Sequence, residues 1–245
     1  MAASHQLAVG TKAGVEAVVH GLRQWWGRNR NNNRVVLVKN DYENAFNEAD
    51  PRKFLESGRR HMPGSARLAE WCYGGEVNLV YHGRVRKSSR GQQGCPLMMP
   101  LFCAMKKDMR DRVGGCEDLS FVADFADDGV LGGDYEAVLK VLKAEAALGG
   151  EYGLRNNFSK MKVYTVAGES FEGDLAGFES LGIPIDKSCN VEFMKVPIVG
   201  DRLFLKAWGE EKLRDIRKTL TAIERLASKH VGLYLFRTAA NVCKI

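Results

Sequence analysis

Two adjacent carboxylates, Asp127 and Asp128, are the residues of this sequence whose types and spacing most directly suggest chemistry. They lie in SFVADFADDGVLGGD, residues 120–134, between two apolar runs. Two like charges at the tip of an apolar segment are costly unless a cation neutralises them, which favours a metal site. Asp-Asp-Gly is also good turn chemistry in its own right, because Asp and Gly tolerate the backbone angles of a hairpin. From these residues alone, both interpretations stay open.

A third acid, Asp41, follows RVVLVK at residues 34–39, a β-branched apolar run that predicts a buried strand. The runs at 121–123 and 129–131 predict two short strands joined by the turn that carries the paired acids. An acid at a strand's exit is well placed for chemistry. We therefore expect the metal site, if it exists, at the ends of strands that only the fold brings together.

The remaining pattern predicts an α+β chain. Apolar residues at helical spacing, with Asp50 and Pro51 as a start signal, predict helices at 15–26, after Pro51, at 63–73, after Pro96, at 135–146 and at 213–226. Strands or hairpins are expected at 77–87, in the segment carrying Lys160 and Lys162, and at 178–185. Gly27 is expected to end the first helix, and a solvent loop is expected from there to residue 34.

Composition restricts the function classes only loosely. The chain has 245 residues, 45% of them hydrophobic, with a formal net charge of +6, which is compatible with a polyanionic partner. Its six cysteines form no C-x-x-C pair, so neither a structural zinc site nor a disulfide framework is indicated. No apolar run approaches the roughly 20 residues of a membrane helix, which predicts a soluble intracellular protein of the nucleus or cytoplasm.

Five stretches, at 41–47, 90–97, 125–129, 153–162 and 181–184, together resemble the reverse transcriptases of non-LTR, LINE-like retrotransposons, and the resemblance runs from about Gln6 to the C-terminus. DYENAFN at 41–47 resembles that family's first palm motif, and RGQQGCPL at 90–97 resembles the second. FADDG at 125–129 is similar to the third. GLRNNFSKMK at 153–162 and LGIP at 181–184 resemble the fourth and fifth. The resemblance lies in their order and spacing more than in any single motif.

The resemblance implies a polymerase palm-like antiparallel sheet with packed helices, partial fingers and the start of a helical thumb. It places partial fingers at 1–34, the palm at 35–199 and the start of the thumb at 200–245. It also implies that the chain is truncated at the N-terminal fingers and within the thumb. The implied reaction is addition of deoxynucleotides to a DNA primer on an RNA template. Two Mg²⁺ or Mn²⁺ ions would assist it.

Residue roles also follow from the resemblance. Asp41 and Asp127 are the implied metal ligands, and Asp128 is the neighbouring, less direct catalytic acid. Phe46 matches the aromatic position that excludes a ribose 2′-hydroxyl. The other implied roles are nucleotide and template contact at Gln93 and Gly94, assistance to the leaving pyrophosphate at Lys160, and primer grip at Leu181 and Gly182.

A second hypothesis is a catalytically silent, truncated relative that acts as a nucleic-acid-binding or protein-assembly subunit. The absence of upstream fingers strands from the sequence favours it. So does the ending HVGLYLFRTAANVCKI at 230–245, which stays apolar to its last residue and suggests a surface for a protein partner.

Overall fold

The structure of the chain is a computed structural model, which describes residues 5–239. Its helices are α1 (Gly14–Asn29), α2 (Ala45–Glu48), α3 (Pro51–His61), α4 (Ala66–Tyr73), α5 (Met98–Arg112), α6 (Tyr135–Gly149), α7 (Ala176–Glu179), α8 (Arg202–Glu224) and α9 (Lys229–Ala239). Its strands are β1 (Val35–Asn40), β2 (Val77–Tyr81), β3 (Arg84–Ser88), β4 (Phe121–Phe125), β5 (Asp128–Asp134), β6 (Lys162–Thr165), β7 (Ile185–Asp186), β8 (Val191–Phe193) and β9 (Val196–Val199). The predicted α+β class is confirmed.

Five strands form one sheet in the order β4-β5-β1-β6-β7. The first three neighbouring pairs are antiparallel, and β6 and β7 are parallel. The centre of the sheet is β1, whose first four residues are buried, as its continuous β-branched run predicts. The predicted palm-like antiparallel sheet is therefore present, with a short parallel strand added at one edge.

Helices cover both faces of this sheet, because alternate residues of β1 point in opposite directions. On one face, Val36 and Val38 share a buried cluster with apolar residues of α6. Elsewhere α1 packs on β4, where the Trp25 ring lies 5.8 Å from the Phe121 ring and Trp25 Nε1 donates to Ser120 Oγ at 2.8 Å. The sheet is consequently a rigid platform for residues at the ends of its strands.

A second buried cluster joins α3, α4 and α5. Asp50 starts α3 as predicted, since its side chain accepts a hydrogen bond from Arg52 N at 2.8 Å and Pro51 takes the first helical position. Phe54 of α3 and Phe102 of α5 are fully buried in this cluster. This packing fixes α5 beside the sheet, and the residues of α5 become important below.

Several sequence-based boundaries are wrong, including the helix expected at 213–226, which begins at Arg202. The first helix does not end at Gly27 but continues to Asn29, where Asn29 Nδ2 donates to the Trp25 carbonyl at 2.8 Å and stabilises the last turn. The predicted strand at 178–185 is wrong over most of its length, because α7 occupies 176–179 and only Ile185 and Asp186 form a strand. Just before that helical turn, the Asp174 carboxylate accepts a hydrogen bond from Ala176 N at 2.9 Å.

The chain divides into two compact units, one running to Ser188 and the other starting at Cys189. The second unit contains the β8–β9 hairpin and the helices α8 and α9. Asp201 caps α8 by accepting from Phe204 N at 2.8 Å, and no residue of α8 is buried. The predicted partner surface at the apolar C-terminus falls partly outside the described residues, since its last six positions, 240–245, are not among them.

Across residues 5–239, no helix combines the length and the apolar character that crossing a membrane demands.

Candidate active site

The paired acids lie where the sequence predicts them, at the turn of the β4–β5 hairpin. Phe125 pairs with Asp128, so Ala126 and Asp127 form a two-residue turn between the strands. Ala126 has a φ of 56°, a left-handed conformation that is unfavourable for a residue with a Cβ atom. Asp127 is half-buried and Asp128 is exposed.

The third acid meets this turn through the register of the sheet. Asn40, the last residue of β1, pairs with Gly129 of β5. Extending that register by one residue places Asp41 opposite Asp128. The structure therefore brings Asp41, Asp127 and Asp128 to the same end of the central strands, as expected from their positions at strand ends.

Within the part of the chain that the structure describes, these three carboxylates form no direct ion pair. Among residues 5–239, no hydrogen bond or ion pair is found for the side chains of Asp41, Asp127 and Asp128. Partial burial raises the pKa of Asp128 although its side chain reaches solvent, and the negative charges of Asp127 and Asp41 raise it further against the opposing charges of Lys39 and Lys106. Clustered, uncompensated acid charge is what a bound cation would relieve.

The second-motif loop packs directly against the segment after Asp41. A Cβ atom on Gly91 would lie 2.1 Å from the Phe46 carbonyl oxygen, so only glycine allows this approach. Arg90 Nη1 donates to the Glu48 carbonyl at 2.9 Å on the same segment. The ring of Phe46 is half-buried and lies 4.6 Å from the Phe102 ring. Phe46 and the loop that carries the exposed residues Gln93 and Gly94 are thus neighbours.

The fourth-motif turn is hydrogen-bonded to the Asp41 segment. Asn157 N donates to the Asp41 carbonyl at 2.9 Å, and Lys160 N donates to the Asn157 carbonyl at 3.0 Å. Lys160 is exposed and precedes β6, so the prediction that it lies on the strand is wrong; Lys162 begins the strand. The turn brings the backbone of Lys160 to the same end of the sheet as the acids.

Leu181 and Gly182 do not lie on a strand turn. They follow α7, and Gly182 is exposed with a φ of 76°. Leu181 N donates to the Phe178 carbonyl at 3.1 Å, which closes the helical turn. The primer-grip role of these residues stays a prediction, but the strand on which it depended is absent at their positions.

The sequence analysis missed a buried network of ion pairs next to the Ala126–Asp127 turn, which we call the acid turn. Lys106 Nζ lies 3.0 Å from Asp124 Oδ1, and Arg110 Nη2 lies 3.1 Å from the same oxygen. Arg110 Nη1 also pairs with Glu145 Oε2 at 2.6 Å. All four side chains are at most 2% exposed, so two cations and two anions neutralise each other inside the protein.

This network reaches the strand that delivers Asp41. Glu145 accepts from Asn40 Nδ2 at 2.6 Å and from the Tyr42 hydroxyl, so α6 holds the residues on both sides of Asp41. Burial and the charge of Glu145 raise the pKa of Tyr42 well above its ordinary value, which keeps the phenol protonated as a donor. Burial by itself raises the pKa of Asp124, but Arg110 and Lys106 outweigh it and hold that pKa below its usual range.

A signal for the network does exist in the sequence. Lys106 and Arg110 are four residues apart on α5 and lie among Phe102, Met105 and Met109, all fully buried. Charged residues within an apolar helix face have two explanations: they form ion pairs inside the protein, or they lie where that face meets solvent. A sequence interpretation that treats every charge as exposed overlooks this.

The chemistry of the three acids fits Mg²⁺ or Mn²⁺, since hard divalent cations prefer carboxylate oxygen. Within the described residues, no group of three or more His, Cys, Asp or Glu side chains already surrounds a position for a metal ion. Donor type and uncompensated charge therefore support a cation site, whereas a ready-made cage is lacking.

A cleft of about 360 Å³ lies elsewhere and includes Ser57, His61 and Asp108. Ser57 Oγ donates to Asp108 Oδ2 at 2.6 Å, and His61 Nε2 lies 2.6 Å from Asp108 Oδ1. The serine thus bonds to the acid and not to the histidine, so no base is placed to activate it. This cleft does not form a hydrolytic triad.

No protein-family model matches the sequence, and no curated protein matches it. Solved structures do match. Apo telomerase from Candida tropicalis is similar over 78% of this chain and 35% of its own, with 11% identity and a TM-score of 0.53. A form of that enzyme truncated from its C-terminal domain gives 14% identity, 63% and 35% coverage, and a TM-score of 0.47.

Telomerase from Candida albicans, solved in complex with the TWJ fragment of telomeric RNA, gives 14% identity, 64% and 31% coverage, and a TM-score of 0.47. The chain spans about a third of the length of these telomerase chains. The fold assignment rests on the apo C. tropicalis enzyme. The chain has a mixed α+β fold, with a five-stranded sheet and packed helices, that is similar to the matched part of telomerase.

Proposed function

We propose that the chain is the palm region of an RNA-directed DNA polymerase, a nucleotidyltransferase that extends a primer with deoxynucleotides. One observation carries the proposal. The register of β1 and β5 brings Asp41 to the Asp127–Asp128 turn, and these acids have no cationic partner among the described residues. Three such acids at the exposed end of a polymerase-like sheet are suited to binding divalent cations.

In this proposal, Asp41 and Asp127 hold two Mg²⁺ or Mn²⁺ ions, and Asp128 adjusts the local charge. When bound, such ions activate the primer 3′ oxygen and neutralise charge on the triphosphate. Lys39 and Lys106 limit the negative potential at these acids, because the charges of both oppose the rise in the pKa of Asp128. The protein's part is to present carboxylates at a fixed place on a rigid sheet.

The remaining residues would select and orient the substrates. Phe46, whose ring packs against Phe102, would exclude a ribose 2′-hydroxyl by steric conflict. The exposed loop at Gln93 and Gly94 would lie along the incoming nucleotide. Lys160, exposed on the turn bonded to Asp41, would assist the leaving pyrophosphate electrostatically.

The sequence motifs favour a non-LTR retrotransposon enzyme, and the fold favours a telomerase-like one; both are reverse transcriptases. In either case the proposed partners are an RNA template, a DNA primer and a deoxynucleoside triphosphate. The modest positive charge of the chain, +6, is compatible with these polyanions. A primer-grip role for Leu181 and Gly182 remains part of the proposal.

Primer extension tests this function. The full chain is incubated with oligo(dT) on poly(rA), dTTP and Mg²⁺, and extended products are resolved by length. We expect extension that EDTA abolishes and that Asp127→Asn lowers at least about a hundredfold. Asp118→Asn, a change of an exposed acid whose partner is Lys140 at 3.9 Å, is the matched control and should retain activity.

A comparison of two templates distinguishes RNA-directed from DNA-directed synthesis. Replacing poly(rA) by poly(dA) should lower extension if RNA is the preferred template. No extension on either template, or extension that Asp127→Asn leaves unchanged, would remove the proposal.

A catalytically silent nucleic-acid-binding or protein-assembly subunit is the second candidate. The observation that favours it is the lack, among residues 5–239, of side chains already grouped around a metal position. It predicts that Asp127→Asn and the parent bind a primer–template duplex equally, with or without Mg²⁺, in a fluorescence anisotropy titration. Duplex affinity that depends on both Mg²⁺ and Asp127 would favour the polymerase.

A further inference from the structure

The turn that carries the paired acids contains a strained residue. Ala126 adopts a φ of 56°, which costs a residue with a Cβ atom about 1–2 kcal/mol. Two-residue turns of this kind usually place glycine where φ is positive. Since Ala126 immediately precedes Asp127, any relaxation of its backbone moves the carboxylates. Something outside the turn must hold it.

Gln6 holds the turn from the outer edge of the sheet. Its Oε1 accepts from Ala126 N at 3.0 Å, and its Nε2 donates to the Ala126 carbonyl at 3.3 Å. The segment around Gln6 is itself anchored along β4, because Leu7 N donates to the Asp124 carbonyl at 2.8 Å and Asp124 N donates to the His5 carbonyl at 2.7 Å. Gln6 is only 7% exposed, so water competes little for these bonds.

Lys106 holds the same turn from α5. Its ammonium group donates to the carbonyls of Ala126 at 3.0 Å and Asp127 at 3.2 Å, and it pairs with Asp124 at 3.0 Å. These three acceptors match its three hydrogens. The Lys106 side chain is fully buried, so its charge does not contact solvent. Its burial is explained by what it binds.

We propose that Gln6 and Lys106 are positioning residues that clamp the Ala126–Asp127 turn in its left-handed conformation and so fix the carboxylates for divalent-cation binding. The cation-binding part of this inference rests on the proposed function; the clamp itself does not. Residues behind metal ligands commonly act in this way, and their loss lowers metal affinity about 10–100-fold.

The clamp and simple electrostatics predict opposite effects of removing Lys106. A cation near a metal site repels the metal, so its removal should tighten binding if charge alone mattered. If Lys106 instead holds the turn, its removal should weaken binding, because the carboxylates lose their fixed place. Glycine adopts positive φ without strain, so Ala126→Gly should make the clamp largely unnecessary. The sign of the effect and its rescue therefore distinguish the two.

The first measurement is amide hydrogen exchange at Ala126, which requires neither metal nor activity. Lys106→Met and Gln6→Leu should each speed exchange at this amide about tenfold. Lys107→Met, next along α5 and paired only with Asp111 among the described residues, should leave it unchanged. If Lys106→Met does not fold, amide exchange at Ala126 in Gln6→Leu still tests the clamp, because this substitution leaves no buried charge without a partner. Unchanged exchange at Ala126 in the folded variants would overturn the clamp.

The second measurement is Mn²⁺ affinity by electron paramagnetic resonance, on the full chain. We expect Lys106→Met to weaken binding about 10–100-fold in the parent, and only about threefold in the Ala126→Gly background. Equal or tighter binding by Lys106→Met, or an equal loss in both backgrounds, would contradict the positioning role. If the parent binds no Mn²⁺, the proposed function fails, and the exchange experiment alone judges the clamp.

Discussion

The chain contains two hairpins with two-residue turns that differ in what surrounds them. In the β2–β3 hairpin, the turn residues His82 and Gly83 have φ values of 46° and 73°. Val77 and Ser88, at the two ends of this hairpin, are half-buried, and its other residues whose burial is described are exposed. In the β4–β5 hairpin, the turn at Ala126 and Asp127 is enclosed by Gln6 and Lys106.

This difference separates local from tertiary control of a turn. The β2–β3 turn is exposed and has glycine, the locally favoured residue, at one of its two positions of positive φ. The β4–β5 turn has Ala126 and a carboxylate instead, and it depends on distant side chains for its shape. The turn at Ala126 and Asp127 is thus held in part by distant side chains, whereas the exposed turn contains a glycine that suits its backbone conformation.

The largest expected effect comes from exchanging turn residues in each hairpin. Asp127→Gly is compatible with the turn because glycine has few backbone restrictions, yet it should lower Mg²⁺-dependent primer extension at least about a hundredfold, because it removes a proposed ligand. His82→Asn, an equally suitable turn residue, should keep extension within about twofold. Steady-state extension rates measure both. Similar losses in the two variants would break the comparison.

The next largest effect concerns the network under the acid turn. Arg110→Leu leaves Asp124 and Glu145 without this cation at buried positions and should lower the free energy of unfolding by about 3–5 kcal/mol. Arg86→Leu, on the exposed hairpin, should change it by about 0.5 kcal/mol or less. Urea unfolding followed by circular dichroism measures both. A small effect of Arg110→Leu would show that the pairs contribute little.

The pH dependence of stability should report the same network. The folded-state pKa of Asp124 is lowered, so its stabilising contribution is present above the unfolded value of about 3.9 and is lost as pH falls through the lower folded pKa. Unfolding free energies measured between neutral pH and acid should therefore fall at the acid end. Asp124→Asn should flatten that slope, and Glu76→Gln, whose pair with Lys87 is exposed, should not.

The smallest effect is expected at the exposed turn. Gly83→Ala places a Cβ at a φ of 73° and should destabilise the β2–β3 hairpin locally by about 1–2 kcal/mol. The melting temperature should shift little, because an exposed hairpin can open without unfolding the sheet. Faster amide exchange confined to 77–88 is the expected signature. A large drop in melting temperature would mean that this hairpin supports the core.

Much of the framework could be predicted because local signals were strong. The β-branched run of β1 and the acid hairpin predicted the strand ends that bring Asp41 to Asp127. Capping by Asp50 predicted α3. These features depend on periodicity, turn residues and caps, which the sequence displays directly.

The partners of the buried charges and the short elements could not be predicted for physical reasons. Lys106 and Arg110 carry charges that ordinarily indicate solvent, and their buried partners Asp124 and Glu145 lie on other elements of the fold. The segment at 178–185 is apolar but short, and its first two residues lie in the helical turn at 176–179. Contacts between distant residues determined both outcomes.

The most direct test of the central claim is a count of Mn²⁺ ions bound at the acid turn. Electron paramagnetic resonance of the full chain with primer–template and a non-reactive nucleotide should show about two ions per chain. The Asp127→Asn variant should lose the bound Mn²⁺ ions, and the Asp118→Asn variant should retain them. Equal Mn²⁺ binding by the parent and Asp127→Asn would contradict the assignment of this turn as the catalytic metal site.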